Sequence, residues 1–205
     1  MKTLLFLILL LPCCSFSQDL TEYNKKRLKT DQNLMLGLGS WATVNFVASG
    51  IGWATTPEGE ARYFHQMNVL WNTVNIGLAI PGLIKARKDN PAIGISESLN
   101  AQRKTETIFL FNSGLDIAYI SSGLILRSEA KSNLEKRDQF NGFGSGLILQ
   151  GGFLLVFDMT AYFIHRSHDK KKLSPFMDRL QLSSTGIGLN YQLDGLSYTS
   201  IKQRL

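Results

Sequence analysis

The stretch TIFLFNSGLDIAYISSGLIL, residues 107–126, decides the fold. It contains no Lys or Arg, and its one charged side chain is Asp116. A bilayer core of about 30 Å takes roughly 20 helical residues to cross, so this stretch is long enough to span one. A helix of a soluble bundle would alternate an apolar stripe with a charged face, and these residues show no such alternation. Three further segments share the character: Asn33–Thr55, Tyr63–Ile84 and Phe140–Ile164, none with an interior Lys or Arg. The pattern predicts an all-α fold, a four-helix transmembrane bundle. The near-neutral mean hydropathy misleads, because the polar residues are concentrated in connections and tails.

Residues 1–17 read as a separate object. Lys2 supplies a positive start, Leu4–Leu11 an apolar core, and Ser15-Phe16-Ser17 a small-x-small cleavage site before Gln18. That is the layout of a secretory signal peptide, too short for a span. Pro12 before Cys13 argues against a lipoprotein anchor. Cleavage would remove Cys13 and Cys14 and leave no cysteine, excluding disulfides, thiol catalysis and thiolate–metal sites from the mature chain. The expected division is 1–17 signal peptide, 18–172 four-span membrane domain and 173–205 tail.

The connections follow. Asp19–Gln32 is polar and predicts a helix leading into the first span. Thr56–Arg62 is short, so the first two spans are antiparallel neighbours. Pro81 predicts a kink late in the second span, and Asn90-Pro91 marks its end. Ser96–Glu106 reads as a helical approach to the third span. In the tail, alternating Leu189, Tyr191 and Leu193, then Asp194-Gly195, then Leu196, Tyr198 and Ser200 predict a small C-terminal β-hairpin, because both turn positions favour positive φ. Its register places Leu193 opposite Leu196 and Tyr191 opposite Tyr198. The hairpin is expected to dock on the bundle end or the membrane interface, since an isolated one is marginal in water.

The net charge of +6 comes from clusters flanking the spans: Lys25, Lys26, Arg27 and Lys29; Lys85, Arg87 and Lys88; Lys170, Lys171 and Lys172. The expected partners are the lipid bilayer and its anionic headgroups at these basic flanks. No nucleic-acid motif is present, and a homo-oligomer is allowed by the narrowness of four short spans. Orientation sets two rules against each other. The signal peptide places both termini outside the cytoplasm, whereas the Lys and Arg distribution argues the reverse. Cleavage on the periplasmic side fixes the topology, giving a multi-pass protein of a bacterial inner membrane with both termini periplasmic.

At about 1.5 Å per residue, Asn45, Asn72, Asn75, Asp116 and Gln150 fall near the bilayer midplane. His65, Asn68, Asn72 and Asn75 share one helix face by their 3- and 4-residue spacing. So do Asn112, Asp116 and Tyr119, and so do Asp158, Tyr162 and His165. Such stripes should face the bundle interior. Asp116 must be neutral, hydrogen-bonded or wetted by a cavity, since no span offers a cation. Asp158 is similar but shallower. The candidate ligand-binding set is Asp116, Asp158, Asn68, Asn72, Asn75, Asn112, Tyr119, Gln150 and His65. The alternative is that these groups only lock helix packing, at about 0.6–2 kcal/mol per interhelical hydrogen bond. His65 and His165 fall at opposite membrane faces, which argues against shared haem iron, and His168 reads as solvated. No catalytic set, metal site or cofactor is expected: a Ser-His-Asp order, phosphate loop, zinc motif or glycosidase-like carboxylate pair is absent. An intramembrane acid or base at Asp116 or Asp158 is the remaining enzymatic option. Trp41, Trp53 and Trp71 read as packing or interface residues. Gly37-Leu38-Gly39-Ser40 and Gly142-Phe143-Gly144-Ser145 open the first and fourth spans alike, which suits close helix packing in lipid.

Three blocks carry a resemblance. They are Gly59-Glu60-Ala61-Arg62-Tyr63-Phe64-His65-Gln66-Met67-Asn68 with Trp71-Asn72 and Asn75; Asn112, Leu115-Asp116, Tyr119 and Gly123; and Gly142, Gly144, Gln150-Gly151 and Phe157-Asp158. Together, over about Lys25–His165, they resemble an uncharacterised family of short four-span bacterial membrane proteins carrying a domain of unknown function. The resemblance implies fold and location only.

Overall fold

In the computed structural model, residues 2–172 and three strand segments of the tail are described, with side chains over 20–171. Four helices follow in order: α1 (Lys2–Thr55), α2 (Glu60–Lys88), α3 (Ile95–Glu129) and α4 (Arg137–Lys172). All four are long and apolar enough to cross a membrane, which marks a multi-pass membrane protein. The strands are β1 (Leu180–Ser183), β2 (Gly186–Leu193) and β3 (Leu196–Ile201). Their backbones pair antiparallel in the order β1–β2–β3, with Tyr191 opposite Tyr198 and Leu193 opposite Leu196. The Asp194-Gly195 turn lies outside the described residues, as do the side chains of the signal-like segment.

The helix ends have local causes. α1 and α2 are joined by a tight turn at Gly59, whose φ of 144° lies where L side chains rarely go. α2 runs unbroken through Pro81 and closes at Asp89, whose N–H bonds Lys85 O. Asn90 then bonds the Ala92 N–H through its side chain, and α3 begins where Glu97 accepts from the Gly94 N–H. The two polar approach segments are continuous with their spans. Both α1 and α3 therefore rise past the apolar region at the same end of the bundle, beside the C-termini of α2 and α4.

α1 packs along α2, α2 along α4, and α4 along α3, while α1 touches α3 and α4 more lightly. No Cα of α2 lies within 8 Å of a Cα of α3. Glycines set the closest approaches. A Cβ on Gly123 would lie 2.6 Å from Gly144 O, and one on Gly144 would lie 2.6 Å from Gly123 O. Gly142 and Gly146 seat α4 against Tyr63, Phe64 and Met67 of α2. Of the two similar openings, Gly142 and Gly144 thus serve different neighbours, a Cβ added to Gly39 would lie 3.5 Å from Ala79 of α2, and one added to Gly37 would make only ordinary contact with Phe157. Packing through small residues replaces the hydrophobic drive that lipid cannot supply between helices.

The molecule is inside-out. Val44, Leu78, Ile117 and Val156 are each more than half exposed, while Asn68, Asn72, Gln102, Gln150 and His165 are fully or almost fully buried. Gly123→Val, which drives two methyl groups into the α4 backbone, should cost about 1–3 kcal/mol. Gly114→Ala, with no atom near its added Cβ, should leave unfolding unchanged or raise it slightly. Unfolding in detergent checks this, and equal stability of the two variants would contradict the packing.

Candidate functional site

The polar interior has three levels. The first is built on Gln150 of α4, which is fully buried. Its Nε2 donates to Asn68 Oδ1 at 2.5 Å, and its Oε1 accepts from Trp41 Nε1 at 3.3 Å. One side chain thereby ties α1, α2 and α4. Trp41 also stacks on Phe153 at 3.9 Å between ring centroids.

The asparagines behave differently. Asn68 Nδ2 donates to Phe64 O, Asn72 Nδ2 to Asn68 O, and Asn45 Nδ2 to Trp41 O, each back along its own helix. Asn75 Nδ2 reaches only Asn72 Oδ1, at 3.4 Å. These amides spend their donors locally, so among them only Asn68, through the Oδ1 that accepts from Gln150, joins one helix to another. The oxygens of Asn68 and Asn72 instead face other side chains.

At the second level, the carboxyls of Asp116 on α3 and Asp158 on α4 lie within interaction range of each other. Both are buried, at 2% and 5% exposure. Counting residues along the axis placed Asp158 shallower than Asp116, yet their side chains meet. The cause is direction: side chains lean toward the N-terminus of their own helix, and α3 and α4 run oppositely, so the two carboxyls lean toward each other. Gly151 permits this closeness, since a Cβ there would lie 3.0 Å from Asp116 O. Two carboxyls can hydrogen-bond only if one holds a proton, which belongs to the pair rather than to either residue. Asp116 Oδ2 is buried and accepts from no N–H or hydroxyl donor, so the proton of the pair is the donor open to it.

The remaining candidates lie beside these levels. Asn112 and Tyr119 are half-buried, and Tyr119 meets Trp71 edge-on at 4.6 Å. His65 packs against Gly52 near the C-terminal end of α1 and leaves Nδ1 unpartnered. It stands at the opposite end of the bundle from His165, so the two imidazoles share no site. Among the described residues no group of three or more His, Cys, Asp and Glu side chains converges as a metal site would require.

The third level is a network that the sequence reading missed, where α1 and α3 rise past the apolar region. Asn24 donates to Ser98 Oγ at 2.8 Å and Tyr23 OH to Gln102 Oε1 at 2.8 Å. Gln102 Nε2 donates to Glu106 Oε1 and to the His165 carbonyl, and Arg166 pairs with Glu106 at 3.2 Å. His165 is fully buried, with Nε2 3.1 Å from Asp31 Oδ1. No hydrogen bond forms there. His168, expected in solvent, is half-buried and stacks on Tyr23 at 4.5 Å. The available signal was the 4-residue spacing of Ser98, Gln102 and Glu106, with Tyr23, Arg27 and Asp31 likewise, which puts each set on one helix face.

Over residues 37–159 the sequence matches the profile of a family of unknown function, DUF6992. The chain belongs to that family. No curated protein and no solved structure matches it. The DUF6992 match contains Gln150, Asn68, Asp116 and Asp158, whereas the α1 and α4 partners of the third level, Tyr23 to Asp31 and His165 to His168, lie beyond it.

Gln150→Leu strips Asn68 Oδ1 and Trp41 Nε1 of their shared partner and should cost about 0.6–2 kcal/mol in this DUF6992 bundle. Gln102→Leu, which strands groups on α1, α3 and α4 together, should cost roughly 1–3 kcal/mol. Reversible unfolding in mixed micelles measures both, and a stabilised Gln150→Leu protein would contradict the tie.

Proposed function

We propose that this protein is a non-enzymatic membrane protein whose interior binds and exchanges a proton at the Asp116–Asp158 pair. The observation that supports this is the meeting of two buried carboxyls, with Asp116 Oδ2 receiving no N–H or hydroxyl donor. A carboxylate at the bilayer centre costs roughly 3 kcal/mol or more, so a pair sharing a proton is a less costly resident than two charges. Asn68, Asn72, Asn75, Asn112, Tyr119, Gln150 and His65 complete the candidate ligand-binding set. The donors of Asn68 and Asn72 are turned to their own backbone, so neither is spent on the carboxyl pair.

The second reading, that polar residues only lock the bundle, is favoured at Gln150 by its bonds to two other helices. It does not extend to the carboxyl pair, since an amide or an apolar pair would lock α3 to α4 without the desolvation penalty. The wider setting of the proposal is a bacterial inner membrane, reached through a cleaved signal peptide at residues 1–17. Both termini are then periplasmic, the tail folds as a hairpin on the bundle end, and the basic flanks meet anionic headgroups.

The test is infrared spectroscopy of the full chain in lipid at neutral pH. The wild type should show a protonated-carboxyl band that shifts in deuterated water, changes frequency in Asp116→Asn and in Asp158→Asn, and disappears when both changes are combined. Helical content should be unchanged in both variants. A band that survives both changes, or none in the wild type, contradicts the proposal. In proteoliposomes loaded with a pH dye, a pathway rather than a proton store predicts flux reduced roughly tenfold or more by Asp116→Asn, a barrier change of about 1.4 kcal/mol.

A further inference from the structure

The separation of α2 from α3 leaves a cleft of about 460 Å³ with α1 as its floor. Its height is set by the chain. Arg27, Lys85 and Lys104 sit where the apolar segments begin or end, and Met35, Ile108 and Phe109 line it farther into the apolar region. The cleft therefore straddles the boundary between hydrocarbon and headgroups. It lies between helices whose outer faces carry exposed Leu78, Ile84 and Ile108, so its side opening meets lipid tails.

The charges lining the cleft are unbalanced. Lys85 is paired with Asp89. Arg27 is 6% exposed, its Nε is buried without a partner, and its one ion-pair contact is Nη1 to Asp31 Oδ2 at 3.4 Å. Asp31 is shared with His165. Lys104 is exposed and has no ion pair among the described residues. Three cations against two carboxylates line the cleft, so a positive charge is left over, and one guanidinium nitrogen is already out of water and unsatisfied. A buried, unsatisfied Arg donor is costly, and a guanidinium fork matches phosphate oxygens.

We infer that this cleft holds one anionic phospholipid, its phosphate between Arg27 and Lys104 and one acyl chain along Met35, Ile108 and Phe109. The proposal is independent of the carboxyl pair, since it uses another face of the bundle and different residues. It also differs from general attraction to the basic flanks, because it names one site and one stoichiometry.

The experiment is native mass spectrometry of the detergent-purified full chain, titrated with phosphatidylglycerol or phosphatidylcholine. Glycerol phosphate serves as the soluble headgroup alone. The wild type should retain one phosphatidylglycerol about tenfold more tightly than phosphatidylcholine, the scale of one charge-assisted contact. Arg27→Gln and Lys104→Gln should each abolish that preference, and Lys170→Gln with Lys171→Gln should not. Lys104 is exposed, so its substitution reports on binding even if Arg27→Gln disturbs folding. The inference is overturned by equal retention of the two lipids in the wild type. A preference that survives both cleft variants overturns it too, as does a preference lost only with the α4 lysines. Competition by glycerol phosphate as strong as that of the lipid would overturn the acyl half of the site.

Discussion

Hydrocarbon cannot hydrogen-bond, and the whole molecule is arranged around that fact. Fourteen buried side chains are polar or charged against ten that are apolar among the described residues, the reverse of a soluble core. Apolar side chains cover the outside, where lipid accepts them at no cost. Polar ones are turned inward, where each must find a partner in another side chain or its own backbone. The interior is narrow because glycines bring α4 within backbone contact of both α2 and α3. Close backbones are what make short side chains such as Asn and Asp able to meet across helices.

The three polar levels do different work. Gln150 joins three helices and its hydrogen-bonding groups are spent. The network of Tyr23, Asn24, Ser98 and Gln102 fixes the raised ends of α1 and α3 against α4, beyond the apolar region, with each bond worth about 1 kcal/mol. Between them the carboxyl pair is the place where demand for hydrogen-bond donors exceeds supply. That imbalance, together with the unsatisfied Arg27 on the outer cleft, marks where this bundle departs from a merely well-packed one.

The architecture was legible because hydropathy over twenty residues is a strong signal, and helix boundaries followed from the short Thr56–Arg62 connection and from Asn90-Pro91. Helical spacing also placed Asn68, Asn72 and Asn75 on one buried face. Other features were not legible. Axial counting measures backbone depth, so it could not show that Asp116 and Asp158 lean together. Their meeting depends on opposed helix directions and on how closely Gly151 lets the helices approach. Nor could composition separate a solvated helix from the α1 and α3 extensions, whose polar faces are buried against each other and against His165. His168 read as solvent-facing beside its lysines, and only the position of Tyr23 across the helix pair shows otherwise.

The central claim is that lipid surrounds this bundle and dry polar contacts fill it. Single spin labels in nanodiscs, read by collision with apolar oxygen and with a water-soluble nickel chelate, test it most directly. Labels at Val44, Leu78, Ile117 and Val156 should collide with oxygen and not with nickel, while a label at Ser98 should be protected from both. Ready nickel access at the first four positions would mean that water, not hydrocarbon, bathes these faces, and the account of the buried carboxyl pair would fail with it.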